Sequence, residues 1–319
     1  GIMTLATDRP VRTVAAVVNE MGLPGISEHS ALLTTNKAKM REALLQNNVP
    51  IPKFYECHSE EEFLAALDMI DTDCICKPVD SSGSRGVRLI ERSSNMDELL
   101  ENFRLSKRHS LCGGVIVEEF MVGTEVSVES ISWKDEIHIL AITDKLTSGS
   151  PAFVEMGHSQ PSGQPNCIKQ QVKEVARAAL YAVGIQNSAA HTELIVTDEG
   201  PKIVEIGARM GGDNICSHLV PLSTGIDMIR CCIGLALGDE IKIDKKFDKG
   251  AAIRYLDSSD GMIVGIDGVA VAERIIGVES VHLIKRIGDH ATHIANSSLD
   301  RIAYVIAQAE TATDAVSIC

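Results

Sequence analysis

Aromatic residues make up only 3% of the 319 residues, so any core this chain builds must be aliphatic. Long apolar runs are missing too, and none reaches the roughly 20 residues that cross a bilayer. The first residues do not read as a signal peptide, and a cytoplasmic protein without membrane contact is expected. Basic residues are in deficit, and a net charge of -14 removes the electrostatic footprint of a nucleic-acid binder. Nine cysteines are present but no C-x-x-C pair, which argues against a zinc ribbon or a redox motif. Buried free thiols in a reducing compartment are expected instead. Neither G-x-x-x-x-G-K-[ST] nor G-x-G-x-x-G occurs, so a P-loop and a dinucleotide fingerprint are both absent. No Ser/His/Asp or Cys/His arrangement stands out for nucleophilic catalysis.

What is there is a globular composition, 45% hydrophobic and 23% charged, with length for two or three packed subdomains. Strand and helix patterns interleave, which predicts an α/β or α+β fold. GIMTLATD reads as a strand and turn, and 11–21 as a buried helix. A lone βα unit cannot bury its own faces, so further residues are expected before Gly1. A helix is expected over 36–48. Ser59 with Glu62, and Asn95 with Glu98, have the spacing of capping boxes that open two more helices. Strands are expected at 74–77, 87–91, 114–121 and 125–133. The segment 169–184 carries Val172, Val175, Ala176, Ala179 and Val183 on one helical stripe and ends at Gly184. An apolar helix at 225–237 stops at Gly238. From 239 onward, short strands and a helix near 298–309 are expected.

Four motifs carry chemistry. In KPVDSSGSRGVRLIE, from Lys77 to Glu91, a strand delivers a lysine into a loop of Ser and Gly. Small residues let backbone N–H groups approach a phosphate, and Lys adds a point charge. A plain hairpin connection has the same composition. Lys37 stands at the start of a helix, where a cation opposes the helix dipole unless an anion binds nearby. A solvated surface lysine is the alternative. In VEEFMVGTEVSVE, from Val117 to Glu129, a strand runs into acidic residues and then Phe120-Met121, a wall suited to a flat base, with Glu125 placed for ribose hydroxyls. An edge hairpin would look the same.

The fourth motif, HTELIVTDEGPKIVEIGAR, spans His191 to Arg209. Asp198–Pro201 reads as a turn between two strands. A hairpin centred on Glu199 pairs Ile195 with Ile203, Leu194 with Val204, and Glu193 with Glu205. Facing carboxylates repel, and a divalent cation between them removes the repulsion. Two carboxylates plus phosphate oxygens and water suit Mg²⁺. A register slip by one residue would separate the pair. Arg209 follows on the exit loop, positioned either for a structural ion pair or to clamp a phosphate.

The order and spacing of these motifs resemble the ATP-grasp superfamily over most of the chain. Within it, the likeness is to carboxylate–amine ligases such as bacterial L-amino acid ligases. Biotin carboxylase and carbamoyl-phosphate synthetase are more distant. The resemblance implies an ATP-grasp fold in which Lys37 and Lys77 bind ATP phosphates under a flap, Ser81–Gly86, that includes Ser82, Gly83 and Ser84 and leads into Val87. It assigns Glu118, Glu119, Phe120 and Met121 to adenine and Glu125 to ribose. Glu193 and Glu205 become ligands of Mg²⁺, with Mn²⁺ as substitute, and Arg209 stabilises an acyl-phosphate. FVEMGHSQPS, 153–162, is similar to a segment that puts Glu155 and His158 at the substrate. Lys145 is a weaker candidate. Where many members carry E-x-N-x-R, this chain has Gly207 in place of Asn.

The implied organisation is a remnant of a preceding domain at 1–30, an ATP-grasp core at 31–238 with a lid near 54–118, and a C-terminal subdomain at 239–319. The implied activity is ATP- and Mg²⁺-dependent amide formation from small-molecule carboxylate and amine substrates, with ADP and phosphate released. A homodimer is the assembly allowed for. The alternatives are a biotin-carboxylase or carbamoyl-phosphate type of reaction and a non-catalytic nucleotide-binding module.

Overall fold

The computed structural model describes residues 1–149, 154–292 and 298–319. Phe153, which opens the FVEMGHSQPS segment, lies outside them.

Three helices lead: α1 (Val11–Met21), α2 (Glu28–Thr35) and α3 (Lys37–Gln46). Asn36 separates α2 from α3 and caps the latter, its side chain accepting Lys39 N–H. The opening GIMTLATD is not a strand. A strand must pair its backbone groups, and no described element pairs with this one.

The strands are β1 (Phe54–Cys57), β2 (Cys74–Pro78), β3 (Arg88–Ile90), β4 (Val115–Glu119), β5 (Thr124–Trp133), β6 (Glu136–Thr147), β7 (Glu155–Gln160), β8 (Ser188–Thr197), β9 (Gly200–Gly207), β10 (Gly250–Tyr255), β11 (Gly261–Met262), β12 (Val278–Leu283), β13 (His290–Ala291) and β14 (Ala303–Ala309). They form a small sheet in the order β1-β4-β2-β3, a large one in the order β12-β14-β10-β7-β6-β5-β8-β9, and a two-stranded ribbon of β11 and β13. Both sheets are antiparallel, which makes the fold α+β.

The small sheet carries helices Glu60–Ile70 and Met96–Arg108, joined by Phe63 stacked on Phe103 at 5.0 Å. Asn95 and Glu98 form the full capping box. Ser59 caps as expected, but Glu62 turns to His58 N–H rather than back to Ser59. The expected stripe of helix Asn166–Ala182 packs against the large sheet. Helix Met228–Leu237 ends on left-handed Gly238.

The helix expected near 298–309 is instead β14. Its AYVIAQA run is rich in β-strand formers and is paired on both sides, with β10 and β12. A short apolar run of this kind carries no periodicity that separates helix from strand. Through β10 against β7, the residues after 239 share the large sheet with those before it. Cys112 and Cys167 are exposed, which departs from the expectation of buried thiols. Among the described residues, no single helix is long and apolar enough to cross a membrane.

Candidate active site

The cleft lies between the small sheet and β5, β6, β8 and β9. Its two ends have opposite charge.

At the first end, α3 places Lys37 and Arg41 one turn apart on one face. Lys37 Nζ donates to Ser81 O of the flap at 2.7 Å and to Glu205 Oε1 at 2.8 Å, tying the two sheets together. Arg41 Nε and Lys77 Nζ share the buried Glu118 carboxylate, at 2.6 and 2.5 Å. Three cations thus gather around one fully buried carboxylate. Burial opposes the Glu118 charge, yet Arg41 and Lys77 overcome it and hold the carboxyl at about 2. Lys77 is shifted the other way. Burial, helped by Arg41 and Lys37, outweighs Glu118 and depresses its ammonium. A phosphate arriving here would supply the missing negative charge.

Glu118, expected at a base, has its carboxylate held by these cations and still lines, with Glu119, a cavity of about 170 Å³ whose apolar wall is Phe120 and Met121 with Ile75, Val87, Ile195 and Val204.

This network yields a pH prediction. A carboxyl depressed on folding contributes stability above its unfolded value near 4.5, and that stability is lost as pH falls toward 2. Glu118→Gln is expected to cost about 3–5 kcal/mol at neutral pH, because two buried cations lose their partner. It should also flatten the loss of stability between pH 4.5 and 2. Urea unfolding at several pH values measures both effects, and an unchanged acid slope would refute the assignment.

At the second end, Lys145 is surrounded by Glu125, Glu193 at 3.2 Å and Glu155 at 3.6 Å. One buried ammonium faces three carboxylates. Burial raises Glu125, and Glu193 and Glu155 add to the rise against Lys145. Glu193 is buried too, yet Lys145 and His191 hold it well below the usual carboxylate range. His191 bridges it to the fully buried Glu129, with Nε2 3.1 Å from Glu193 and Nδ1 2.5 Å from Glu129. Burial works against the imidazolium, but Glu129 and Glu193 lift it to about 9. A carboxylate oriented through a histidine by a second carboxylate is the kind of support that outer-shell groups give a metal ligand.

Glu193 and Glu205 do face each other. The rest of the expected register is wrong by one, because Leu194 pairs with Ile203 and Ile195 with Lys202. The turn has two residues, not three, and a bulge at Val204 restores the Glu pair. The bulge turns Val204 O onto Arg41 Nη2 at 2.7 Å. The expected bare repulsion is not found, since Lys145 and Lys37 each neutralise one carboxylate. Among the described residues, no group of three or more His, Cys, Asp or Glu side chains encloses a metal site. Two hard oxygen donors open to the cleft still fit Mg²⁺, which is commonly held by one or two carboxylates plus substrate phosphates.

Arg209 pairs with neither Glu205 nor Asp213. Its Nε and Nη2 grip both oxygens of Asp8, at 2.9 and 3.2 Å. A Cβ at Gly207 would sit 3.0 Å from Asp8 Oδ1 and 3.0 Å from Arg209 Cζ, so Asp8 fills the space that a side chain at 207 would take. Asp213 instead receives Arg301 at 2.8 and 2.9 Å and lies 3.3 Å from His158 Nε2. Arg301 lies over Tyr255 and reaches Glu155 O, which fixes the Glu155–His158 strand from the C-terminal side. His158, Glu155, Lys145 and Arg209 line a second cavity of about 270 Å³.

In the flap, Gly83, Ser84 and Gly86 all have positive φ. A Cβ on Gly86 would meet His109 at 2.9 Å, so only glycine fits there. The sequence did not single out Arg41, Asp8, His191 or Arg301. The pairing of α3 with the lid and the fold-back of the N-terminal segment are long-range events without a local signal.

Known proteins share this fold. An L-amino acid ligase from Bacillus licheniformis superposes with a TM-score of 0.84 at 25% identity, over 99% of this chain and 78% of that one. Alanine–anticapsin ligase of Bacillus subtilis (strain 168) is 29% identical over 69% of this chain and 50% of its own length. An uncharacterized protein of Sinorhizobium fredii is 29% identical over 99% of this chain and 65% of its own. The chain thus spans between half and two thirds of the length of these curated relatives. Residues 254–319 match the L-amino acid ligase C-terminal domain 2. Residues 34–213, which hold both charged ends of the cleft and more than half of the chain, match the ATP-grasp domain, and the chain belongs to the ATP-grasp family.

Proposed function

We propose that this chain is the nucleotide-binding and catalytic portion of an ADP-forming ligase that joins a carboxylate to an amine through an acyl-phosphate. The observation that supports it is the polarity of the cleft, with surplus cations around Glu118 at one end and surplus carboxylates around Lys145 at the other. Such a cleft favours a polyanion and a metal ion bound together.

In this reading Lys37, Lys77 and the flap hold the triphosphate, Phe120 and Met121 the base, and Glu125 the ribose. Glu193 and Glu205 would hold Mg²⁺, or Mn²⁺ in its place, which would supply neutralisation of the phosphate charge. A substrate carboxylate oxygen attacks the γ-phosphorus and ADP leaves. The amine nitrogen then attacks the acyl carbon, phosphate leaves and the nitrogen loses a proton. Arg209 aims its guanidinium at the charge that gathers on the transferring group. Glu155 and His158 contact the acid or amine in the second cavity. Residues 31–238 form the core with the lid at 54–118, while 1–30 and 239–319 belong to flanking units.

Phosphate release with ATP and Mg²⁺, screened over pairs of amino acids and small acids, tests the proposal. Release that requires both an acid and an amine, with amide product found by mass spectrometry, is expected. ATP turnover indifferent to both would sink it.

A further inference from the structure

A further cavity beside the cleft, of about 520 Å³, opens between the start of α1, the end of α2, the flap and the end of helix Met96–Arg108. It meets the two cavities already described at Ser82 and Glu205, which line all three. Its walls bring together Arg9, Arg12, Arg85, Arg108 and His109 beside Lys37.

The carboxylates on the same walls are committed elsewhere. Asp8 is held by Arg209, Glu205 by Lys37, and Asp80 accepts the backbone N–H groups of Leu111 and Cys112. The four arginines have no carboxylate partner among the described residues, and Arg85 Nε donates to Ser82 O at 3.0 Å. Among the described residues, the ion-paired arginines are Arg41, Arg92, Arg104, Arg209 and Arg301. Arg108 has a structural reason to be where it is, at the carboxyl end of its helix. Arg85 is tied to the flap through Ser82 O and also lines the 170 Å³ cavity, while Arg9 and Arg12 have no reason of that kind.

Three separate elements thus converge four guanidinium groups without carboxylate partners on one cavity, in a chain of net charge -14. Like charges facing one space repel, and an anion bound among them relieves the repulsion. The planar guanidinium fork matches a carboxylate or a phosphate with two parallel hydrogen bonds.

We infer that one of the two substrates carries a second anionic group, a carboxylate or a phosphate ester, which docks among Arg9, Arg12, Arg85 and Arg108 while its reacting end lies at the junction near Ser82 and Glu205. This rests on the ligase reading and names the class of its substrate.

Matched substrates decide it. Phosphate release is measured with ATP and Mg²⁺ for propanoate against succinate as the acid, and for alanine against aspartate and O-phosphoserine as the amine. In one series the member with the added anion is expected to have at least tenfold higher kcat/KM, and the amine series separates carboxylate from phosphate. Arg12→Glu and Arg108→Glu should each raise KM for that member about tenfold or more. Affinity for a fluorescent ADP analogue should hold, because neither arginine lines the other two cavities. Arg12→Ala, a milder change at an exposed position, should give the same direction of effect. Equal turnover of charged and neutral members in both series, or an unchanged KM in these variants, overturns the inference and leaves the ligase reading standing. No release with any pair, despite nucleotide binding, overturns both.

Discussion

Glu205→Gln is expected to lose roughly 10³-fold or more in kcat while the fold survives, a loss equivalent to about 4 kcal/mol of transition-state stabilisation. The carboxylate faces Glu193 across the hairpin and lines all three cavities. Its amide keeps the shape but loses the charge that holds a hard cation. The stability outcome follows from Lys37. That ammonium sits 2.8 Å from Glu205, and the carboxylate is 27% exposed. A partly exposed pair is worth at most about 1 kcal/mol. Lys37 also keeps its bond to Ser81 O in the variant. The melting temperature should therefore stay within a few degrees of wild type. Steady-state kinetics and thermal unfolding measure the two effects, and Mn²⁺ affinity read by paramagnetic resonance gives a third readout independent of turnover. Wild-type kcat in saturating Mg²⁺ would end the metal-ligand assignment.

Arg209→Lys should lose roughly 10²-fold or more in kcat, the scale seen when one preorganised donor to a developing charge is removed. The guanidinium uses one edge on both oxygens of Asp8 and Nη1 on Met210 O, and Arg209 lines the cavity shared with Glu155 and His158. A lysine has a single ammonium on a flexible stem, so it cannot grip Asp8 in a fork and stay aimed at the site. ATP affinity should change far less, because Arg41, Lys77 and Glu118 lie at the other end. A donor felt mainly in the transition state lowers kcat more than it raises KM. If Arg209 only ties the N-terminal segment down, kcat would be near normal and the melting temperature would fall instead.

What the sequence made legible was local. The Asp198–Pro201 turn signal identified the hairpin, and the facing of Glu193 and Glu205 followed from it. The correct pair was reached through an incorrect register. Residue identity does not reveal a bulge that exists because Arg41, far away on α3, takes the bulged carbonyl of Val204. The same long-range reason hid Arg41 itself. On a helix of polar composition it reads as a solvated residue, yet it is 1% exposed beneath the lid. Lys145 was visible only as a strand-end cation. That it serves three carboxylates depends on β5, β7 and β8 lying around β6, which is topology rather than pattern. Each of the four chemical motifs is compact, so that a few neighbouring residues carry both the turn geometry and the charge.

The way Asp8 and Arg209 crowd the space above Gly207 couples these three positions. A Cβ at 207 would come within 3.0 Å of Asp8 Oδ1 and of Arg209 Cζ, so the paired side chains would have to shift to admit it. Losing Asp8 alone releases the arginine fork. Effects of changes at positions 8 and 207 should therefore be strongly non-additive. A chimera that exchanges the N-terminal segment with that of a relative carrying a larger residue at 207 inherits this conflict unless both positions travel together.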